Sequence, residues 1–328
     1  MPHAVASVYQ ESSQFQRWHF EPEELTQKRQ AVNLAAIDTC TTNLALETEL
    51  SGKQPAKPAD FPNWEEELLH VNFYARKLSD TADVFDLPPH LRATAAQYLK
   101  RFYLMRSVLQ YHPKSIMITC LFLATKTCEH YVPLDTFATK LKTSKEAIIQ
   151  HEFEISSTIL FDYVHWSAYR PLHGFVLDME RFCAEEPKIF ELKAISQAHS
   201  AAKALISSCL WSDLPFLHAP SHLALAALLA VAEELVTGYL AAKGLESLQD
   251  NLHDIRRALL ETSATAADLA AVKAVDKKIY YSSDPGMKAD SALTTKRQAE
   301  EASAGQAKRR SKDEAAKQAQ DDFGEAFA

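Results

Sequence analysis

An all-α fold of two similar helical blocks is predicted, and three observations carry the prediction. Glycine is scarce, 7 in 328 residues, and the 14 prolines fall mainly between periodic stretches. That favours helices joined by short breaks over a glycine-rich α/β enzyme. Apolar residues recur at helical spacing through most of the chain,. In each of two successive blocks the third helix is apolar nearly all round: SIMITCLFLATKTC at 115–128, then APSHLALAALLAVAEEL at 219–235. Such a helix is enclosed by its neighbours. The length is enough for two domains, each with a sizeable core.

The first segment, 1–62, holds an arm, a helix and a linker. SSQFQRWHF at 12–20 is the arm. A long helix follows, with Pro22 suited to its first turn and Glu23 and Glu24 favoured at its positive end. Trp18 and Phe20 lie outside that helix. They are candidate arm contacts, against the chain's own domain or against a partner. The stretch SGKQPAKPADFP from Ser51 reads as a linker, because proline and polar residues interrupt the periodicity,.

The first block spans 63–165, with five helices opening near Asn63, Pro88, His112, Pro133 and Ser144. Leu91, Ala95, Tyr98, Leu99 and Phe102 mark the inner face of the second. Ser144 is the cap of the fifth, read as one run, SKEAIIQHEFEISSTILFDY,. The second block spans 166–264. Pro171 can open its first helix, and the central helix starts after Ala219. An alanine-rich helix over 265–283 ends near Tyr281. Residues 284–328 are polar and read as a disordered tail. Within it KRRSK, 308–312, is a short basic strip of the kind used for nuclear import or acid binding,.

Several function classes are disfavoured. The net charge of −8 gives no general attraction to nucleic acid,. Arg92, Lys100, Arg101, Arg106 and Lys114 form a basic stretch, but Arg101 and Arg106 diverge from the face shared by Arg92 and Lys100. No run of 18 apolar residues suggests a membrane span, and no signal peptide opens the chain. The odd count of 5 cysteines, widely spaced, argues against a disulfide framework,. Cys120 and Cys128 read as buried thiols. No phosphate loop, nucleophile elbow or zinc-protease signature is present. The 13 histidines are scattered; His112, His130 and His151 could approach one another but match no ligand spacing. Catalytic, cofactor-binding and metal residues are therefore not expected.

Lys126 interrupts the apolar third helix, and Glu152 stands beside the apolar stripe of the fifth. An acid and a base on two packing helices suit a docking surface better than bond chemistry.

YLKRFYLMRSVLQYHP at 98–113, followed by ITCLFLATKTCE at 118–129, resembles the cyclin box of transcriptional cyclins. SSQFQRWHF is similar to the N-terminal arm of the cyclin H branch, in particular its fungal members. YRPLHGFVLDME at 169–180 resembles the start of the second repeat. The similarity covers roughly 10–280. It implies tandem five-helix cyclin-box repeats with additional N- and C-terminal helices. It also implies a noncatalytic, nuclear subunit that activates a CDK7/Kin28-type kinase for phosphorylation of the RNA polymerase II tail. The partners implied are that kinase, a MAT1/Tfb3-type assembly factor and, through the assembled module, the TFIIH core. Neither nucleic acid nor membrane is an expected direct partner.

The family pattern places its kinase-gripping lysine and glutamate on Lys126 and Glu152, the latter nine residues before Phe161. Phe122, Leu123, Ile148 and Ile149 are the apolar candidates beside them. The MRAIL substrate patch of many cell-cycle cyclins is replaced by LRATA at 91–95. Two alternatives stand: a Mediator cyclin C-type regulator of a Cdk8-type kinase, and a TFIIB-like DNA-binding scaffold.

Overall fold

The computed structural model describes residues 8–53, 58–185, 192–304, 306 and 308, and no strand occurs among them. The arm is helix α1 (Ser13–Trp18), started by the Ser12 hydroxyl, which accepts from the Phe15 N–H. Helix α2 (Pro22–Ser51) has Pro22 in its first turn, as expected. It ends where Gly52 turns left-handed at φ 65°, a conformation cheap only without a Cβ.

The first repeat comprises α3 (Trp64–Asp83), α4 (Pro89–Phe102), α5 (Pro113–Thr127), α6 (Leu134–Leu141), α7 (Lys145–Ile149) and α8 (Glu152–Thr158). Asn63 and Glu66 form a reciprocal capping box on α3,. Helix α5 is the enclosed centre, packed by α3, α4, α7 and α8. Its Ile116, Cys120, Leu121 and Ala124 are wholly buried. The Cys120 thiol is pushed far up by burial, whereas Cys128 is partly exposed.

The second repeat comprises α9 (Tyr169–Glu185), α10 (Leu192–Ser208), α11 (Leu214–Leu217), α12 (Pro220–Val231), α13 (Glu233–Ala242) and α14 (Gln249–Ala264). Helix α12 is its centre, against α9, α10, α13 and α14. The run expected to continue past it breaks at Ala232, φ −151° and ψ 68°. Helix α15 (Leu269–Ser282) returns to the first repeat and packs on α3.

Two connections make one body of these parts. Phe216 of the second repeat is buried in the first core. Its carbonyl accepts from the Phe20 N–H at 2.9 Å, and the two rings meet edge to face. Asp213 accepts from Arg29 of α2 at 2.7 and 2.8 Å and from Lys100 of α4 at 2.8 Å. The Lys100 side chain is 1% exposed. Trp18 and Phe20 are buried as well, so the arm aromatics serve the chain's own packing.

The expectation of a disordered tail from 284 is corrected for residues 284–304. A 3-10 turn at Pro285–Met287 precedes helix α16, 292–304. Buried Asp284 accepts from Asn43 at 2.8 Å. Glu47 caps the N–H groups of Ala292 and Leu293 at 3.0 and 2.8 Å. These partners come from α2, which is why a local polar composition hid them. Of the KRRSK strip, 309–312 lie outside the described residues.

Between the repeats, His165 Nδ1 lies 3.1 Å from Gln14 Oε1. Burial, then the Arg101 charge, push this imidazole from 6.5 down to about 3. The folded state thus binds fewer protons than the unfolded chain in that window, and stability falls as pH drops below about 6.5. His165→Asn, which keeps a donor for Gln14 without the titration, should flatten the fall in melting temperature between pH 7 and pH 5.

Candidate functional site

Lys126 lies in the last turn of α5 and Glu152 in the first turn of α8. Each charge therefore sits at the helix end whose dipole favours it. Their side chains pair directly and remain 40% and 29% exposed. The Lys126 ammonium also lies 5.1 Å from the Phe122 ring centre.

This geometry depends on a break that the continuous fifth helix of the sequence reading lacked. Thr119 donates its hydroxyl to the Ile148 carbonyl at 2.7 Å. An unbroken helix would use that carbonyl for the Glu152 N–H. The chain instead turns at Gln150 and His151 and restarts at Glu152. Thr119→Val would leave a buried carbonyl without its partner. It should lower unfolding stability by about 1–3 kcal/mol, read from the urea midpoint at unchanged slope.

The apolar candidates separate clearly. Ile148 is fully buried, and Leu123 and Phe122 are 3% and 7% exposed. They pack in the core of the free chain and so lie beneath the surface rather than on it. Only Ile149, 43% exposed, offers area. Exposed apolar side chains not singled out occur on the neighbouring segments: Phe153 at 76%, Tyr131 at 80% and Leu160 at 50%, together with Phe161 at 56%. A signal for Phe153 was present. It falls off the Ile148–Ile155–Ile159 helical stripe, so it had no place in the core.

Leu160 and Phe161 are held at φ 59° and 56°, a left-handed conformation that costs about 1–2 kcal/mol per residue without glycine. Asp162 fixes the turn. Its carbonyl accepts from buried Arg101 at 2.9 Å, and its carboxylate accepts from Trp18 Nε1 and Arg17 Nη1, both at 3.0 Å. The arm thereby clamps the segment that displays the two side chains.

The basic stretch weighed for nucleic acid is dismantled. Lys100 and Arg101 are 2% and 0% exposed. Arg92 pairs with Asp83, and Arg106 with Glu154 at 2.9 Å. LRATA is largely internal, with Leu91, Ala93, Thr94 and Ala95 buried.

The histidines meet differently from the expectation. Among the described residues, His70, His112 and Asp276 bring three potential metal ligands together. His70 Nε2 lies 2.6 Å and His112 Nε2 3.4 Å from Asp276 Oδ1. However, His112 Nδ1 accepts the Lys114 N–H as the α5 cap, which puts the neutral ring's proton on Nε2, facing the carboxylate. The trio reads as a hydrogen-bonded clamp of α15 on α3. Asp276 lies 206 residues from His70, so spacing carried no trace of it.

A family described as "Cyclin, N-terminal domain" matches residues 63–164, and "Cyclin C-terminal domain" matches 167–271. Cyclin mcs2 of Schizosaccharomyces pombe is 32% identical over 301 residues, which cover 91% of this chain and 92% of that one. Cyclin CCL1 of Saccharomyces cerevisiae is 34% identical over 242 residues, covering 72% and 61%. The solved structure of the yeast TFIIK (Kin28/Ccl1/Tfb3) complex holds a chain 30% identical, with a TM-score of 0.63, covering 76% of this chain and all of that one. A chain of the CAK complex from Chaetomium thermophilum matches in fold, with a TM-score of 0.77 at 24% identity and coverage of 90% and 94%.

Proposed function

The chain belongs to the cyclin H family, and from that premise we propose that it is the activating cyclin of a Kin28/CDK7-type kinase in the TFIIH kinase module. Its work is regulatory, not catalytic. The kinase partner phosphorylates the RNA polymerase II tail, a Tfb3/MAT1-type factor completes the trimer, and the complex acts in the nucleus.

The observation that carries the reading is the half-exposed Lys126–Glu152 pair beside an uncovered apolar rim. Both groups keep hydrogen-bonding capacity for a partner's backbone: ammonium protons for carbonyls, carboxylate oxygens for N–H groups. Ile149, Phe153 and Phe161 supply apolar area around that polar centre, the arrangement in which charged hydrogen bonds gain most once water is excluded. A kinase whose regulatory helix samples several orientations is held in the one that fits this rigid face, and its active population rises accordingly.

Purified Kin28-type kinase and assembly factor, with and without the chain, test the proposal on a polymerase-tail peptide. Strong stimulation by the chain is expected. Stimulation of a Cdk8-type kinase alone would instead select the Mediator reading.

A further inference from the structure

A second basic site lies away from the Lys126 surface, in the cleft between the repeats. Its walls are Pro89 and His90 at the start of α4, His173 of α9, and His199 and Lys203 of α10; Leu172 and Tyr169 form the floor. The cleft is open, about 550 Å³ including solvent. No carboxylate lines it, in a chain with net charge −8. The His173 and His199 ring centres are 5.9 Å apart. None of the four basic side chains has an ion-pair or hydrogen-bond partner among the described residues.

Lys203 is the one formal cation of the four, and the imidazoles beside it offer N–H donors. Burial first, then His173 and Lys203, lower the His199 imidazole, with Glu180 opposing. His199 and Lys203 are four residues apart and so share one face of α10, while His90 and His173 approach from two other helices. Donors from three elements around an open space suit a tetrahedral dianion with several acceptor oxygens. Leu172, Pro89 and Tyr169 offer apolar contact to whatever carries it.

We propose that this cleft binds a phosphoserine or phosphothreonine on a protein segment. Charge complementarity selects the phosphoryl group, and the apolar floor of an open groove selects a peptide over a free ion. The identity of the segment rests on the kinase reading above: a kinase subunit meets phosphorylated serines as the products of its partner.

The test uses the full chain without kinase, so that it does not depend on activation. Fluorescence anisotropy would compare a serine-phosphorylated polymerase-tail peptide, its unphosphorylated form and inorganic phosphate as competitor. The phosphorylated peptide should bind about tenfold or more tightly than the unphosphorylated one. His199→Ala/Lys203→Ala, two changes at exposed or half-exposed helix positions, should erase that difference while circular dichroism and melting stay unchanged. Stimulation of the kinase on unphosphorylated peptide should persist in the double variant. Equal binding of the two peptides, or a preference that survives the double variant, overturns the proposal. Inorganic phosphate binding as tightly as the phosphopeptide would replace it with a free-anion site. Loss of kinase stimulation together with binding would place the cleft in the kinase interface and also overturn it.

Discussion

Lys126→Ala is expected to weaken kinase binding by about 2–4 kcal/mol, roughly 30- to 700-fold, with the fold intact. The asymmetry follows from exposure. In the free chain the pair is half in water, where such bridges contribute only about 0–1 kcal/mol. Against a kinase the same groups would be desolvated, and removing the lysine strands Glu152 in a dry interface. The loss is read by titrating the chain against limiting kinase, because excess chain would mask it. Glu152→Ala should fall in the same range, and the double variant should cost less than the sum of the two. A folded Lys126→Ala chain with wild-type titration behaviour would remove the pair from the mechanism.

Asp213→Ala should be the most destabilising single change, at about 3–5 kcal/mol. Burial by itself raises this carboxyl, but Lys100 and Arg29 outweigh it and hold it well below the usual carboxylate range. Lys100 is pushed down to about 8, first by burial and further by Arg29, with Asp213 opposing. One carboxylate thus serves two cations, and its removal leaves Lys100 buried with only Asn72 at 2.6 Å. The melting temperature should fall on the order of 5–15 °C. Because the folded Lys100 then prefers neutrality even more, raising pH from 7 toward 10 should recover part of the loss. Lys100→Met added to Asp213→Ala should recover part of it at neutral pH. Unchanged stability in Asp213→Ala would mean that this junction is not what holds the repeats together.

The all-α architecture with tandem repeats was legible because it rests on local signals. The apolar runs at 115–128 and 219–235 do mark the two enclosed helices, although the second helix stops at Val231, and Ser144 does cap the fifth, accepting from the Ala147 N–H. What stayed hidden depends on partners far along the chain. Lys100 and Arg101 look like surface charge until Asp213 and the Asp162 carbonyl are placed beside them. Helix α16 looks like polar tail until Glu47 caps it. The restart of the chain at Glu152 requires a threonine from another helix. In the proposed site, Lys126, Glu152 and Ile149 were readable as residues that interrupt or flank an apolar run, whereas the extent of the exposure of Phe153 depends on the restart at Glu152 and was not.

The bond from Arg29 to Asp213 spans 184 residues of sequence. At ribosomal rates of about 5–20 residues per second, roughly ten to forty seconds separate the synthesis of these partners. Through that interval the long N-terminal helix is out of the tunnel with its contact to the second repeat not yet made. A nascent chain of this design should therefore engage holding chaperones until the second repeat emerges, and slow codons placed before residue 213 would lengthen that exposure.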